Sequence, residues 1–400
     1  MKSPSIIRNG TIVFAALLLA ASVLWPAAAL AAPDTPADET EVQVADELLS
    51  DCRSAILLDG ASGDVLYEQN ADLQCYPASV TKLMTLILIL EAVDNGSISL
   101  EDTVSVSEAA AAMGGSQVYL YPGEQRTVNE MLIAIAVGSG NDAAYAMAEF
   151  VGGSYEHFIE MMNQKAAALG MDGTHFVNPH GLHDPEHYTT ARDLGKLARY
   201  AINVPGLLSY TSIYEYEFRP QPQPLTLWNT NRLLKWYAGT DGLKTGYTEE
   251  AGRNLAATAQ RDGLRLISVV LGCRALRGHF SESMNLLNYG FDHYKFQTVY
   301  RQNETVAQAN VAKGETAAVD LLAAADIGYV CPKNGDRQVS VRLEIPAYLD
   351  APLAAGEHGG LVQLYENDRL IEECELIVAR DVERCGLFRF WLRLLAEMGF

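Results

Sequence analysis

The sequence contains three short motifs, and the first is suited to nucleophilic chemistry. Ser79-Val80-Thr81-Lys82 places a hydroxyl and an amine three residues apart, so both fall on one face of a helix. Lys82 is the only charged residue between Ser79 and Glu91 in an otherwise apolar segment. Burial of this amine would lower its pKa and make it a base that can take a proton from Ser79. The alternative is a buried lysine that pairs with a structural carboxylate.

The other two motifs supply a second hydroxyl, an amide and a second amine. Ser139-Gly140-Asn141 is predicted to lie in a turn between two helices, where its side chains can point into a cleft. Ser283-Met284-Asn285 has the same spacing inside a predicted amphipathic helix, so this pattern alone has little specificity. Lys244-Thr245-Gly246 is predicted on a strand, where it can hold a carboxylate and admit substrate backbone at the glycine. Together the three motifs contain the groups that acyl transfer requires.

A buried helix and two sets of strands must position these motifs. The segment 83–90 is apolar on every face, which is typical of a helix in the middle of a domain. Strand patterns precede it at 54–58 and 65–67 and return at 253–260 and 264–271, with helical patterns between. This order predicts the α+β class, with an antiparallel β-sheet covered by helices, for a domain that spans 52–296.

The pattern changes after this domain. Val341 and Leu343 lie in a stretch that alternates apolar and polar residues, and residues 298–383 are predicted to form a small all-β domain. Residues 386–400 predict a C-terminal amphipathic helix that is too short to span a bilayer. We expect this helix to lie on a membrane surface. The alternative is a helix that packs on the β domain.

The N-terminus indicates export. Residues 1–31 have a basic start, an apolar run and small residues at a cleavage site before Ala32, the layout of a signal peptide. An uncleaved membrane anchor is the alternative. Residues 32–51 are acidic and predicted to form a flexible linker. We therefore expect an extracytoplasmic protein attached to the outer face of the cytoplasmic membrane.

Charge and composition exclude several classes of protein. The 400 residues carry a net charge of −21, which argues against a nucleic-acid partner because phosphates need a basic face. Hydrophobic residues make up 49% of the chain, so disorder of the whole chain is also excluded. Six cysteines are too few for a disulfide scaffold. Cys52 and Cys75 flank the first hairpin and could approach each other, but the sequence does not settle the pairing.

One histidine cluster resembles a metal site. His183-Asp184-Pro185-Glu186-His187 has a zinc-protease spacing, and His180 is near it in the sequence. Such ligands need a helix, which Pro185 prevents. We interpret the segment as a turn-rich loop near the cleft and expect no metal and no cofactor.

The three motifs and their surroundings resemble the D-alanyl-D-alanine carboxypeptidases, the low-molecular-mass penicillin-binding proteins of bacterial cell walls. The resemblance extends from about Arg53 to the C-terminus and implies a β-lactamase/transpeptidase-like fold. Segments similar to the family include Tyr76-Pro77-Ala78-Ser79-Val80-Thr81-Lys82-Leu83-Met84-Thr85, Ser139-Gly140-Asn141-Asp142-Ala143, Asn178-Pro179-His180-Gly181-Leu182, His187-Tyr188-Thr189-Thr190-Ala191 and Asp241-Gly242-Leu243-Lys244-Thr245-Gly246.

The resemblance implies roles for these residues on a peptidoglycan stem peptide that ends in D-Ala-D-Ala. Ser79 would attack the carbonyl between the two D-alanines while Lys82 takes its proton. Backbone N–H groups of Ser79 and Tyr247 would hold the oxyanion. Ser139 would relay a proton to the departing D-alanine, helped by Lys82 or Lys244.

The same resemblance implies the binding groups and the inhibitors. Asn141 would bind the peptide amide, and Lys244 and Thr245 would hold the terminal carboxylate beside Gly246. Water would then release the acyl-enzyme, and β-lactams would be trapped at Ser79. Two positions depart from relatives: Tyr247 stands where some have histidine, and His279 stands near where some have arginine.

Two other functions remain open at this point. A β-lactamase would need a glutamate-bound water, but between Asn141 and Lys244 no glutamate has an asparagine four residues later. A penicillin-binding sensor or wall-binding protein with poor turnover is the alternative from another class. The intact set of Ser79, Lys82 and Ser139 argues against the sensor.

Overall fold

The computed structural model describes residues 48–220 and 223–386. The predicted signal peptide, most of the predicted linker and nearly all of the predicted C-terminal helix lie outside the described residues. No helix within those two ranges is both long enough and apolar enough to cross a membrane.

The strands in chain order are β1 (Ser54–Asp59), β2 (Val65–Gln69), β3 (Thr103–Ser105), β4 (Gln125–Thr127), β5 (Glu215–Arg219), β6 (Leu225–Trp228), β7 (Thr240–Thr248), β8 (Gly252–Arg261), β9 (Leu264–Cys273), β10 (Tyr294–Tyr300), β11 (Thr305–Ala312), β12 (Ala318–Ala323), β13 (Ile327–Pro332), β14 (Ser340–Glu344), β15 (Leu349–Asp350), β16 (His358–Glu366) and β17 (Arg369–Val378). The helices are α1 (Lys82–Asp94), α2 (Glu108–Ala111), α3 (Val128–Ala136), α4 (Asn141–Gly152), α5 (Tyr155–Ala168), α6 (Ala191–Ala201), α7 (Leu207–Thr211), α8 (Leu233–Trp236) and α9 (Gly278–His293), and a 3₁₀ turn (Ala78–Thr81) precedes α1.

The first part of the chain is built on a five-stranded sheet in the order β2-β1-β9-β8-β7. All four neighbouring pairs are antiparallel, as predicted. Side chains of β1 alternate between two cores: Ile56 packs in the cluster that contains α1, and Leu57 packs with residues of α9 on the other face. Helices therefore cover both faces of the sheet, and β7 forms one of its edges.

Helix α1 lies in the middle of the larger core. Every residue from Lys82 to Leu90 is buried, which confirms the prediction from its all-round apolar pattern. Ser79 differs slightly from expectation because it lies in the 3₁₀ turn rather than in the α-helix itself. Residues three apart are eclipsed in a 3₁₀ turn, so the spacing still brings Ser79 and Lys82 together.

The last described part of the chain is all β, as predicted. A six-stranded sheet has the order β14-β16-β17-β12-β11-β15, and β10 pairs with β13. Leu321, Val362 and Leu376 are fully buried in its core. The predicted strand around Val341 and Leu343 is β14, an edge strand whose residues are exposed.

The cysteines show one pairing that the sequence did not reveal. Cys52 forms a disulfide with Cys273, and Cys75 is a buried free thiol. Of the pairings that the sequence left open, Cys52 with Cys75 is thus excluded. The reason is the sheet order: β1 runs antiparallel to β9, with Ser54 opposite Leu271, so the residues that flank these ends meet.

Candidate active site

The turn that carries Ser79 is held from two sides. Ala78 has a positive φ of 49°, and a Cβ on Gly181 would come within 1.9 Å of the Ala78 carbonyl oxygen. On the other side, the Asn254 side-chain amide donates hydrogen bonds to the carbonyls of Tyr76 (2.8 Å) and Pro77 (3.0 Å). The half-buried Ser79 side chain is thus presented by a turn with little freedom to move.

Lys82 contacts three oxygen atoms from three parts of the chain. Its Nζ lies 3.0 Å from Ser79 Oγ, 2.6 Å from Asn141 Oδ1 and 2.7 Å from the His180 carbonyl oxygen. A neutral amine has two N–H donors and one lone pair. Asn141 Oδ1 and the His180 carbonyl oxygen can only accept, so in the neutral form the lone pair faces the Ser79 hydroxyl proton.

Electrostatics favour this neutral form. Burial lowers the pKa of Lys82 well below 10.5, the nearby charge of Lys244 lowers it further, and Asp142 acts in the opposite direction. Lys82 is fully buried and bonds no carboxylate of residues 48–220 and 223–386, so its charged form loses hydration without that compensation. The structure therefore contradicts the alternative of a lysine paired directly with a structural carboxylate.

Ser139 and Lys244 form a second hydroxyl–amine pair. Ser139 lies in the turn between α3 and α4 with a φ of 56°, and Lys244 Nζ donates to its Oγ over 2.9 Å. Lys244 also donates to the Thr245 carbonyl oxygen at 3.2 Å. Burial lowers the pKa of Lys244 to about 7, so its amine changes charge near neutral pH.

Asn141 connects the two pairs. It begins α4, and its Oδ1 accepts from Lys82 while its Nδ2 donates to the Gly114 carbonyl oxygen at 2.7 Å. Asn141 and Ser139 are two residues apart in the same turn, so the motif brings the Lys82 and Lys244 amines to one cleft. The predicted residues Ser79, Lys82, Ser139, Asn141 and Lys244 are all brought together.

The remaining predicted residues lie on edge strand β7. Thr245 Oγ1 is 2.6 Å from Thr230 Oγ1. A Cβ on Gly246 would come within 2.7 Å of the Pro77 carbonyl oxygen and 3.0 Å of the Ser79 nitrogen, so the strand packs directly against the turn. The Tyr247 side chain is exposed, and the Arg253 guanidinium lies 4.7 Å from the centre of its ring.

Sequence reasoning missed the role of Asp142. Its carboxylate is buried and accepts backbone N–H bonds from Val118 at 3.1 Å and Leu120 at 3.0 Å. This fixes the 116–120 loop, whose Ser116 carbonyl accepts the N–H of Asn141. The feature of the sequence that could have indicated this role is the position of an acidic residue at the start of the largely apolar α4.

His187, the last residue of the histidine cluster, makes structural contacts. His187 Nδ1 accepts the Val177 N–H at 3.0 Å, so a neutral ring carries its proton on Nε2 and donates it to Thr81 Oγ1 at 2.7 Å. Burial lowers the pKa of His187 to about 3, which keeps the ring neutral. Both ring nitrogens are engaged by protein groups. No set of three metal-ligating side chains forms within the part of the chain that the structure describes.

Comparison with known proteins identifies the family. Residues 40–275 match the family described as D-alanyl-D-alanine carboxypeptidase. The chain belongs to this family. Residues 294–384 match the C-terminal domain of penicillin-binding protein 5. As a D-alanyl-D-alanine carboxypeptidase family member, the protein is a hydrolase of the serine peptidase type.

Named members of the D-alanyl-D-alanine carboxypeptidase family are similar over most of the chain. DacF of Bacillus subtilis (strain 168) is 38% identical over 353 residues, which cover 88% of this chain and 91% of DacF. DacC of Escherichia coli (strain K12) is 39% identical over 354 residues, which cover 85% and 87%.

Solved structures show the same architecture. Penicillin-binding protein 5 of Haemophilus influenzae has a TM-score of 0.63 and 32% identity, covering 84% of this chain and 98% of that one. Penicillin-binding protein 3 of Streptococcus pneumoniae has a TM-score of 0.70 and 27% identity, covering 84% and 100%. The fold is thus the penicillin-binding-protein α+β fold followed by an all-β domain.

Proposed function

We propose that this carboxypeptidase removes the terminal D-alanine of peptidoglycan stem peptides through an acyl-enzyme on Ser79. The observation that carries the proposal is the 3.0 Å contact between Lys82 Nζ and Ser79 Oγ at a fully buried amine. A neutral lysine in hydrogen-bond contact with a serine is a base positioned to activate a nucleophile.

In the acylation step, Ser79 Oγ attacks the carbonyl carbon between the two D-alanines and its proton passes to Lys82. The developing oxyanion is held by backbone N–H groups of Ser79 and Tyr247. Support for this comes from Gly246, whose missing side chain lets β7 approach the Ser79 nitrogen. Donors fixed in advance at such a position stabilise charge without reorganisation during the reaction.

The leaving D-alanine requires a proton and its carboxylate requires a cation. Ser139 relays the proton, and its 2.9 Å bond to Lys244 supports Lys244 rather than Lys82 as the assisting amine. Lys244 and Thr245 hold the carboxylate, and Thr230 orients the Thr245 hydroxyl through their 2.6 Å contact. Asn141 binds the peptide amide of the substrate. Water then hydrolyses the ester and frees Ser79.

β-Lactams should acylate the same serine. Penicillin-binding protein D2 of Listeria monocytogenes has been solved with ampicillin bound, is 33% identical and has a TM-score of 0.54. The similarity covers 60% of this chain and 97% of that one. The similarity supports β-lactams as inhibitors of this chain.

The place of action is proposed from the sequence. The exported layout of residues 1–31 and the amphipathic pattern of residues 386–400 support a protein held at the outer face of the cytoplasmic membrane through its C-terminal helix. Peptidoglycan stem peptides would be accessible there.

The test compares wild type with Ser79→Ala. Release of free D-alanine from an acylated peptide ending in D-Ala-D-Ala and labelling by a fluorescent penicillin should both occur in wild type and vanish in the variant. Labelling without D-alanine release would contradict the proposed carboxypeptidase activity and favour a sensor. Rapid loss of the label with little D-alanine release would favour a β-lactamase.

Ser139 and Ser283 provide a matched pair, because both begin a Ser-x-Asn motif and both are buried. Ser139→Ala should reduce D-alanine release strongly, since it removes the acceptor of the Lys244 bond. Ser283 lies in α9, and Ser283→Ala should leave the rate of D-alanine release within about twofold of wild type.

A further inference from the structure

Beside the cleft lies a group of basic residues that have no carboxylate partner among the described residues. Two lie at α8, one lies near the start of β8, and two lie in the turn between β9 and α9: Arg232 and Lys235, Arg253, and Arg274 and Arg277. Elsewhere on the same sheet Arg265 is paired with Asp241 at 2.8 Å. The chain has 50 acidic and 29 basic residues, so a shortage of carboxylates does not explain the group.

Aromatic rings, rather than carboxylates, are the partners of four of these five cations. The Lys235 amine and the Arg232 guanidinium lie 4.7 Å and 5.9 Å from the centre of the Tyr214 ring. The Arg277 guanidinium lies 5.5 Å from the centre of the Trp236 ring. Such contacts hold a cation in place without neutralising its charge. The positive charges therefore remain available to an anion from outside.

Two tryptophans expose large apolar surfaces in the same region. Trp228 is 49% exposed and packs edge-on against Tyr214, and Trp236 is 48% exposed and packs against Phe280. We call the five cations together with Trp228 and Trp236 the arginine–tryptophan surface. Arginine and tryptophan are the residues most often responsible for binding energy at interfaces.

The arginine–tryptophan surface is continuous with the cleft. Arg253 in β8 is directly opposite Tyr247 in β7, and Tyr247 is the residue after Gly246. At the other end Trp228 is two residues from Thr230, whose hydroxyl contacts Thr245. A molecule longer than the cleft can therefore extend onto this surface. The neighbouring Asp51 carboxylate already accepts the Ala275 N–H at 2.9 Å.

We propose that the arginine–tryptophan surface binds the polymer that carries the substrate, a glycan strand with many carboxylate-terminated peptides. The inference rests on the proposed function, because each uncleaved stem peptide ends in a carboxylate and the strand is therefore a polyanion. Guanidinium groups match carboxylates geometrically, and the apolar faces of sugar rings can cover exposed indole rings. Continuity with the cleft favours this polymer over an anionic membrane.

The experiment measures kcat/KM for D-alanine release from two substrates over a range of NaCl concentrations. One is uncrosslinked soluble glycan strands with intact stem peptides, and the other is an acylated tripeptide ending in D-Ala-D-Ala. The variant is Lys235→Gln/Arg274→Gln/Arg277→Gln, which changes three exposed side chains. The control, Lys295→Gln/Arg301→Gln/Lys333→Gln, removes the same charge from exposed residues outside the surface.

At low salt the surface variant should lose about tenfold on the polymer while its rate on the tripeptide and its penicillin labelling stay within about twofold of wild type. Added salt should lower the wild-type polymer rate towards that of the variant. The control variant should behave like wild type, and melting temperatures should agree for all three proteins.

Three results would overturn the proposal. The polymer rate of the surface variant could equal that of wild type, or both variants could lose the same factor, which would reflect net charge alone. Alternatively, the surface variant could lose only its binding to vesicles with anionic lipids while its polymer rate stays unchanged, which would make the partner a membrane. A wild type that releases D-alanine from neither substrate would instead refute the proposed function.

Discussion

Gly246→Ala should show how the position of β7 affects the reaction, because it moves the strand without removing any side chain proposed to act. Gly246 has ordinary backbone torsions, so alanine is strained there only by its neighbours. The added Cβ would lie 2.7 Å from the Pro77 carbonyl oxygen and 3.0 Å from the nitrogens of Ser79 and Val80. These contacts are to backbone of a turn that Asn254 and Gly181 already fix, so the strand must move instead.

The size of the effect follows from that displacement. Overpacking of this kind costs about 1–3 kcal/mol of stability, which exceeds the roughly 0.5–1 kcal/mol that alanine gains over glycine in a strand. A shift of β7 by up to about 1 Å misplaces the proposed oxyanion donor at Tyr247 and should slow acylation about 100-fold. Every side chain proposed to act in the reaction remains present.

The assay is the second-order rate of acylation by a fluorescent penicillin, with the melting temperature measured alongside. Gly114→Ala is the matched control, because its Cβ would meet no atom within 4 Å and its carbonyl would still accept from Asn141. The control should acylate at the wild-type rate. A folded Gly246→Ala protein that acylates within twofold of wild type would refute the reasoning that β7 sets the oxyanion geometry.

Four further outcomes are expected. Burial lowers the pKa of Lys82 well below 10.5, and the neutral amine is the proposed base. The acylation rate should therefore rise from acid pH and level off well before pH 10; a rise that continues past pH 10 would contradict this. Asp142→Asn removes a charge that favours protonated Lys82, so the rising limb of the same pH profile should move to lower pH. Lys244 has a pKa of about 7 in the fold and an ordinary value of 10.5, so between these pH values the folded protein binds fewer protons than the unfolded chain. The free energy of unfolding should therefore rise with pH in this range by up to about 1.4 kcal/mol per pH unit. In urea denaturation, Lys244→Met should show a smaller rise of that free energy with pH. Cys52→Ser/Cys273→Ser opens a bond between residues 221 apart and should lose about 2–4 kcal/mol in the same denaturation measurement, whereas an unchanged midpoint would show that the disulfide contributes nothing.

Local patterns predicted the elements because each pattern is itself the physical cause of its element. The apolar segment 83–90 has no polar face, so it can only be stable inside a core. The spacing of Ser79 and Lys82 predicted their contact because one helical turn is enough to produce it. The hairpin patterns that follow Lys244-Thr245-Gly246 predict its strand for the same kind of local reason.

The contacts that complete the site depend on distant parts of the chain. Lys82 and Asn141 are 59 residues apart and Ser139 and Lys244 are 105 residues apart, so no local pattern predicts their bonds. Their proximity requires β7 to be the sheet edge beside α1 and the α3–α4 turn. The Cys52–Cys273 bond likewise follows from the pairing of β1 with β9, which separate strand predictions leave undetermined.

The two buried lysines lie close enough for the charge of one to affect the pKa of the other. Burial opposes the charge of both amines, and a charge on Lys244 lowers the pKa of Lys82 further. With the substrate carboxylate placed on Lys244 as proposed, the Lys244 ammonium is stabilised by that carboxylate. The resulting positive charge then favours the neutral form of Lys82, which is the form proposed to take the Ser79 proton. The proposed roles therefore couple substrate binding to base activation through one electrostatic interaction. The buried Asp142 carboxylate limits how far that coupling lowers the pKa of Lys82.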